Sequence, residues 1–439
     1  MALINFKGDP SQEHTAAGIP PVLGMNTSYC FSEKEKQILR ELGKEVKEIA
    51  AREDMVVKAK KWTEHNDLKS TTPVVFIDPE IGWNEIIHPE QILCEDPLAR
   101  VWEMGLRKQI FWANGMKDDK VIEHYFDVPY VYGDNGWGLL VSKEGGAVGT
   151  AYKVKQSLED YEEDFNKIHY PETFIDIEKS ARILEMAHEI FDGILEVRRK
   201  TTWWWTLGMT WEYINMRGLE EFLCDFICEP DWIHEMMNLL ANGTEKRLDY
   251  LTENGLLNLN TGATYTGSGG FGYTNELPAT LDRPVTTMDM WGFVESQETS
   301  PVAPDMYGEF IFPYQKRIME RFGLTCYGCC EPYDPRWKYV KTLPRLRKVS
   351  CSPWANWKTI PENLGKNYIA SVKPMPTPLA ARQMDEELVR ADCKRAVTES
   401  MGGICEFIMK DVTTLGGNPR NATRWVEIMR EEIDRGYGG

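Results

Sequence analysis

The stretch DMWGFVESQETSPVAPDMYGEFIFPYQKRIMERFGLTCYGCCE, residues 289–331, decides the fold. Its apolar run at 289–295 is short and flanked by polar residues, which reads as a buried strand. Pro304 and Asp305 then open a helix over 304–322, with Met306, Phe310, Ile318 and Phe322 on related faces and a kink expected at Pro313. A second buried strand, TCYGCC, begins at Thr325. Strand, helix and strand in succession make a βαβ unit, whose strands lie parallel in one sheet.

Working outward, the same alternation recurs. VPYVY at 128, TWWWTL at 202, LLNLN at 256, KVSCS at 348, YIASV at 368 and ICEFIM at 404 are further candidate strands and bring the number to eight. Helices are expected at 174–199, 230–253, 384–401 and 419–435. Eight strands with eight crossovers point to the α/β class and to a closed (β/α)8 TIM barrel over residues 126–439. Upstream, SEKEKQILRELGKEVKEIAARE at 32–53 carries a capping-box pattern, Ser32 with Glu35, and Ile38, Leu42, Val46 and Ile49 at helical spacing. Residues 1–125 are therefore expected to form an N-terminal helical extension packed on the barrel, with VVFI at 74–77 as an extended run inside it.

The formal charge of -18 repels phosphate backbones and anionic lipid, so a small substrate or a complementary protein is favoured over nucleic acid or a membrane surface. No uncharged stretch reaches the roughly 18–20 residues of a membrane span, and the start of the chain lacks a secretory leader pattern, so a cytoplasmic location is expected. Ten cysteines in 439 residues are too dilute for a disulfide scaffold and are read as buried thiols, ligands or nucleophiles. All seven histidines precede residue 235, so chemistry in the second half must run without them.

Barrel chemistry is built where strands end. Those ends carry Trp205, Asn258, Glu295, Glu298, Tyr327, Cys329, Cys330, Glu331, Lys410 and Asp411, with Cys405 on the last strand. Cys329, Cys330, Glu331 and Cys405 offer thiolates and a carboxylate to a divalent metal, for which soft sulfur favours zinc; the alternative is that they are buried thiols. Glu295 and Glu298 bracket Gln297, and paired carboxylates in a half-buried mouth push their pKa values apart and supply a general acid or base. Lys410 and Asp411 either pair with each other or steady a developing negative charge. The glycine-rich tract NTGATYTGSGGFGY at 260–273 lacks the spacing of a phosphate-binding loop and reads as a mobile lid whose Tyr265 and Phe271 flank a planar ligand.

Taken in order, GLEEFLCDFICEPDWIHEMMNLL at 218–240, ENGLLNLN after it, and VAPDMYGEFIFPYQKRI at 302–318 resemble the uroporphyrinogen decarboxylase superfamily from about residue 126 to 435. The arginine-rich RQAGRY motif of the true decarboxylases is missing, which favours the corrinoid-dependent methyltransferase branch over a decarboxylase or lyase acting on a carboxylated planar substrate. In that branch a HxC motif after the fifth strand and a later lone cysteine hold zinc. Cys329 and Cys405 match those cysteines, while Tyr327 stands where the family has histidine, leaving Glu298, Glu331 or Cys330 as the further ligand. The resemblance implies transfer of a methyl group, from a methoxylated aromatic (O-demethylation), to the Co(I) corrinoid of a separate corrinoid protein. Glu298, Tyr327, Lys410 and Asp411 would then be catalytic, and Trp205, Asn258, Tyr265, Phe271 and Glu295 would contact substrate. A homo-oligomer is compatible with all of this.

Overall fold

The computed structural model describes residues 27–139, 142–144 and 153–437, so the first 26 residues of the expected extension lie outside it. Eight parallel strands run through the described residues: β1 Val74–Ile77, β2 Tyr125–Val128, β3 Glu196–Arg199, β4 Trp291–Val294, β5 Leu324–Tyr327, β6 Leu346–Cys351, β7 Ile369–Val372 and β8 Ile404–Met409. Six of them form one sheet in the order β1-β8-β7-β6-β5-β4, and β2 pairs with β3 in a separate parallel ribbon. Val74 registers with Glu406 and Ile77 with Met409, so the first strand of the chain pairs with the last.

This corrects the strand assignment in four places, the first being VPYVY, expected from 128, whose strand lies earlier at Tyr125–Val128. VVFI, expected in the appended extension, is a sheet strand whose four side chains are all 0% exposed. The strand expected at 202 lies earlier, at Glu196–Arg199, and Thr202–Leu207 is irregular. LLNLN forms no strand, because its asparagine side chains make the hydrogen bonds that its backbone would have made. Asn260 accepts from Trp291 N–H and donates to Trp291 O, both at 2.9 Å, and Asn258 accepts from Thr201 N–H at 2.9 Å.

Both edges of the six-stranded sheet are met in this way. On β1, Val75 N–H donates to Asp119 Oδ2 at 2.8 Å and Val75 O accepts from Asp119 N–H at 2.8 Å. On β4, besides Asn260, Phe293 O accepts from Leu207 N–H at 2.9 Å. Unpaired edge groups therefore find partners without a further strand.

Strand alternation gives the sheet two buried faces. Cys351, Cys405 and Phe407 belong to the apolar core beneath the helices Glu386–Ser400 and Arg420–Tyr437. Cys326, Lys348, Ser350, Ser371 and Glu406 line the opposite face, against the hairpin Tyr265–Thr266/Gly270–Phe271. The predicted kinked helix is two helices, Pro304–Phe310 and Phe312–Met319, with Pro313 in the first turn of the second. The N-terminal helix is Glu33–Ala50, with the Ser32–Glu35 capping box formed.

Candidate functional site

Glu295 directly follows β4, and three features fix it. Gln315, fully buried on the following helix, donates its amide to Glu295 O at 2.8 Å and to Gly208 O at 2.9 Å. Gly208 lies so close that a Cβ there would sit 2.2 Å from Glu295 O, an approach only glycine permits. Gln297 N–H donates to Glu295 Oε2 at 3.0 Å, while Oε1 is buried without a hydrogen-bond partner. Burial, and then the charges of Glu298 and Glu331, hold the Glu295 carboxyl well above the usual carboxylate range. Glu298, one short turn on, is 8% exposed and accepts from the Thr210 hydroxyl at 2.7 Å. Burial raises its carboxyl as well.

From the next strand end, Glu331 ties the two turns together. Its Oε1 accepts from Ser296 N–H at 2.8 Å and its Oε2 from Cys329 N–H at 3.0 Å. Cys329 is buried, with its Sγ 3.7 Å from that of Cys330. Trp205 packs against the same apolar cluster, its ring edge-on to Phe293. Tyr327 is 1% exposed, its hydroxyl unpartnered, and burial pushes its pKa up to about 12. Arg336 is committed to the loop after β4, donating to Ser296 O at 3.2 Å and to Thr299 O.

At the end of β8, Lys410 lies 3.8 Å from Glu80. Burial disfavours its charge, yet Cys329, Asp411 and Glu80 together hold the ammonium above its ordinary range. Asp411 itself is exposed and in the left-handed region at φ 59°. Glu80 and Asp78 belong to the site and were missed, because β1 was read as an appended segment. Burial, reinforced by Asp78 and opposed by Lys410, pushes the Glu80 carboxyl up to about 7. The signal was the sequence DPE directly after a buried apolar run.

Three expected residues, Cys405, Asn258 and Phe271, stand elsewhere, and Tyr265 meets the site only through its hydroxyl on Asp78. Cys405 points into the helix layer, its Sγ 3.5 Å from Ser400 O, because strand alternation sends it to the face opposite Glu406. Asn258 is structural, as above. Phe271 is 0% exposed against Phe76 and Trp62, and the Tyr265 hydroxyl donates to Asp78 at 2.6 Å. The glycine tract is thus a plug rather than a lid. A Cβ on Gly269 would lie 2.9 Å from Ile408 Cγ2, and one on Gly270 2.5 Å from Lys348 Nζ. The zinc set Cys329, Cys330, Glu331 and Cys405 does not converge: Cys405 faces away and both Glu331 oxygens accept backbone hydrogen bonds. Among the described residues no three His, Cys, Asp or Glu side chains are placed to hold a metal, so the residues present do not fit that ion.

The architecture defines an α/β protein with a buried cluster of carboxyl, thiol and ammonium groups at the carboxyl ends of its parallel strands. No family model matches the sequence, and no curated protein does. Among solved structures, the chain is similar to a methyltransferase from Methanosarcina mazei, with 11% identity and a TM-score of 0.38 over 69% of this chain and 76% of that one. Among the described residues no helix is long and apolar enough to cross a membrane.

Proposed function

We propose that the protein is a methyltransferase that moves a methyl group from a methylated donor, a methoxylated aromatic, to the Co(I) corrinoid of a separate protein. We propose also that β1 to β8 are the strands of one (β/α)8 barrel. Support for the barrel comes from the segment 118–119, which leads into β2 and meets the edge of β1, and from Leu207, which follows β3 and meets the edge of β4. The observation that carries the functional reading is the pair Glu295 and Glu298. Two buried carboxyls at one strand end, both raised above their ordinary range by burial, hold their protons more firmly than exposed carboxyls and are suited to act as proton donors.

The corrinoid on its partner supplies the nucleophile for the methyl carbon. This chain's part is to hold the donor and to protonate the oxygen as the methyl–oxygen bond breaks and its electron pair passes to oxygen. A protonated Glu295 or Glu298 delivers that proton in a site closed to water, where Trp205 gives an aromatic wall. Lys410, above its ordinary range, adds a fixed positive charge that favours the departing phenolate. A decarboxylase of a carboxylated substrate needs converging guanidinium groups, and Arg336 is already engaged by backbone carbonyls.

The test mixes purified protein with cob(I)alamin and a panel of methoxylated benzoates and phenols, following release of the phenol by mass spectrometry. Phenol release that falls about 100-fold in Glu298→Gln supports the assignment. Release of carbon dioxide without phenol, or a rate indifferent to both Glu295→Gln and Glu298→Gln, overturns it.

A further inference from the structure

Cys329 and Cys330 are consecutive, and their sulfur atoms already touch at 3.7 Å. They differ in access: Cys329 is 4% exposed, while Cys330 is half-buried and is the thiol that a small oxidant meets first. The Lys410 ammonium interacts electrostatically with both. The hydrogen bond with Cys330 and burial hold the Cys329 thiol above its ordinary range, so Cys329 is the resolving partner and the more accessible Cys330 the one attacked first. Consecutive Cα atoms are about 3.8 Å apart, below the roughly 4.4–6.8 Å that an ordinary disulfide spans, so a bond between these two closes a strained ring. Strain makes a disulfide easy to reduce again, the property of regulatory rather than structural bridges.

We infer that Cys329 and Cys330 are an oxidative modification site, a dithiol that hydrogen peroxide converts reversibly into a disulfide at the mouth of the strand cluster. Peroxide first oxidises the Cys330 thiolate to a sulfenic acid with loss of hydroxide. The Cys329 sulfur then attacks the Cys330 sulfur and water leaves, so that two thiols and one peroxide give one disulfide and two waters. The change is transmitted by hydrogen bonds already present. Cys329 N–H holds Glu331, Glu331 holds Ser296 N–H, and Ser296 is the residue after Glu295. Cys329 O also accepts from the Ser350 hydroxyl at 2.9 Å, so turning the peptide between the cysteines disturbs β6 as well. Cys326, two positions before Gly328, is 1% exposed with its thiol raised by burial to about 12.

The experiment uses the full-length protein, reduced, desalted into buffer with a chelator and treated with one equivalent of hydrogen peroxide. Intact mass is expected to fall by about 2 Da and to recover with dithiothreitol. Trypsin then releases both cysteines in the peptide 322–336, whose fragmentation locates the bridge between Cys329 and Cys330. Cys326→Ser behaves like wild type, and Cys330→Ser loses no mass in this way. A 2 Da loss that persists in Cys330→Ser overturns the assignment, as does a wild type that only gains oxygen or forms disulfide-linked dimers. Peroxide is also expected to lower methyl transfer by about tenfold or more until dithiothreitol is added. That second readout rests on the proposed activity, whereas the mass change does not.

Discussion

Glu295 carries a stability cost that its pH dependence exposes. Its carboxyl is raised in the folded protein, so folding favours the protonated form, and this contribution is whole below the ordinary carboxylate pKa. As pH climbs above that value the unfolded chain ionises and the folded one does not, and the contribution is lost toward the raised pKa. Glu295→Gln removes the loss: thermal melts at pH 8 are expected on the order of a few degrees above wild type, with little difference at pH 4. A variant no more stable at pH 8 than wild type would mean that the Glu295 carboxyl is not raised by the fold. The same substitution is expected to slow methyl transfer, an exchange of stability for function common at active sites. The strand-end positions of Glu295, Glu298, Cys329 and Lys410 were legible from the sequence because Glu295 and Lys410 directly follow an apolar strand and Glu298 and Cys329 lie within four residues of one. Asn258 and Phe271 were not: an asparagine can stand in for a backbone pairing and a phenylalanine beside glycines can be core, and residue type separates neither from a ligand contact.

Among the elements, the hairpin Tyr265–Phe271 shows why a glycine-rich tract misleads. Glycine signals either freedom or close approach, and here it is close approach, with the Gly269 site at φ 133° and Ile408 against it. Gly269→Ala is expected to cost about 2–3 kcal/mol, read as a shifted urea midpoint. Beneath the hairpin, Lys348 Nζ reaches Glu406 Oε2 at 3.1 Å and Phe271 O at 3.2 Å. Both partners are buried, and Glu406→Gln, which strands the ammonium, is expected to cost about 3–5 kcal/mol by the same measurement. At the opposite end of the chain, the Ser32–Glu35 box was readable from spacing alone, since a cap needs only its own four residues. Ser32→Ala should destabilise by about 1 kcal/mol. Glu35 is held to about 2: although burial raises it, hydrogen bonds from Asp96 and Ser32 more than offset this. Its contribution is therefore present above the ordinary carboxylate range and disappears as pH falls toward 2.

For the molecule as a whole, the sequence pattern revealed an α/β protein but not where its sheet begins. Four residues, VVFI, are too short to distinguish a core strand from a tether, and their partner Glu406–Met409 lies at the other end of the chain. Excising residues 1–125 to leave the expected barrel removes β1, trims the first residue of β2 and uncovers one long side of β8. The truncated chain is expected to show no cooperative thermal transition by calorimetry. A sharp transition near that of the full-length protein would make the segment dispensable.

The pairing of the first strand with the last also sets a timetable for synthesis. While the ribosome is still building the middle of the chain, VVFI emerges with one side braced by Asp119 and the other bare. That apolar edge waits through more than three hundred residues of elongation before its mate appears, on the order of 15–60 s at roughly 5–20 residues per second. Assembly is consequently late, long-range and exposed to mispairing, so the nascent protein is a natural client for chaperones that shield strand edges until translation ends.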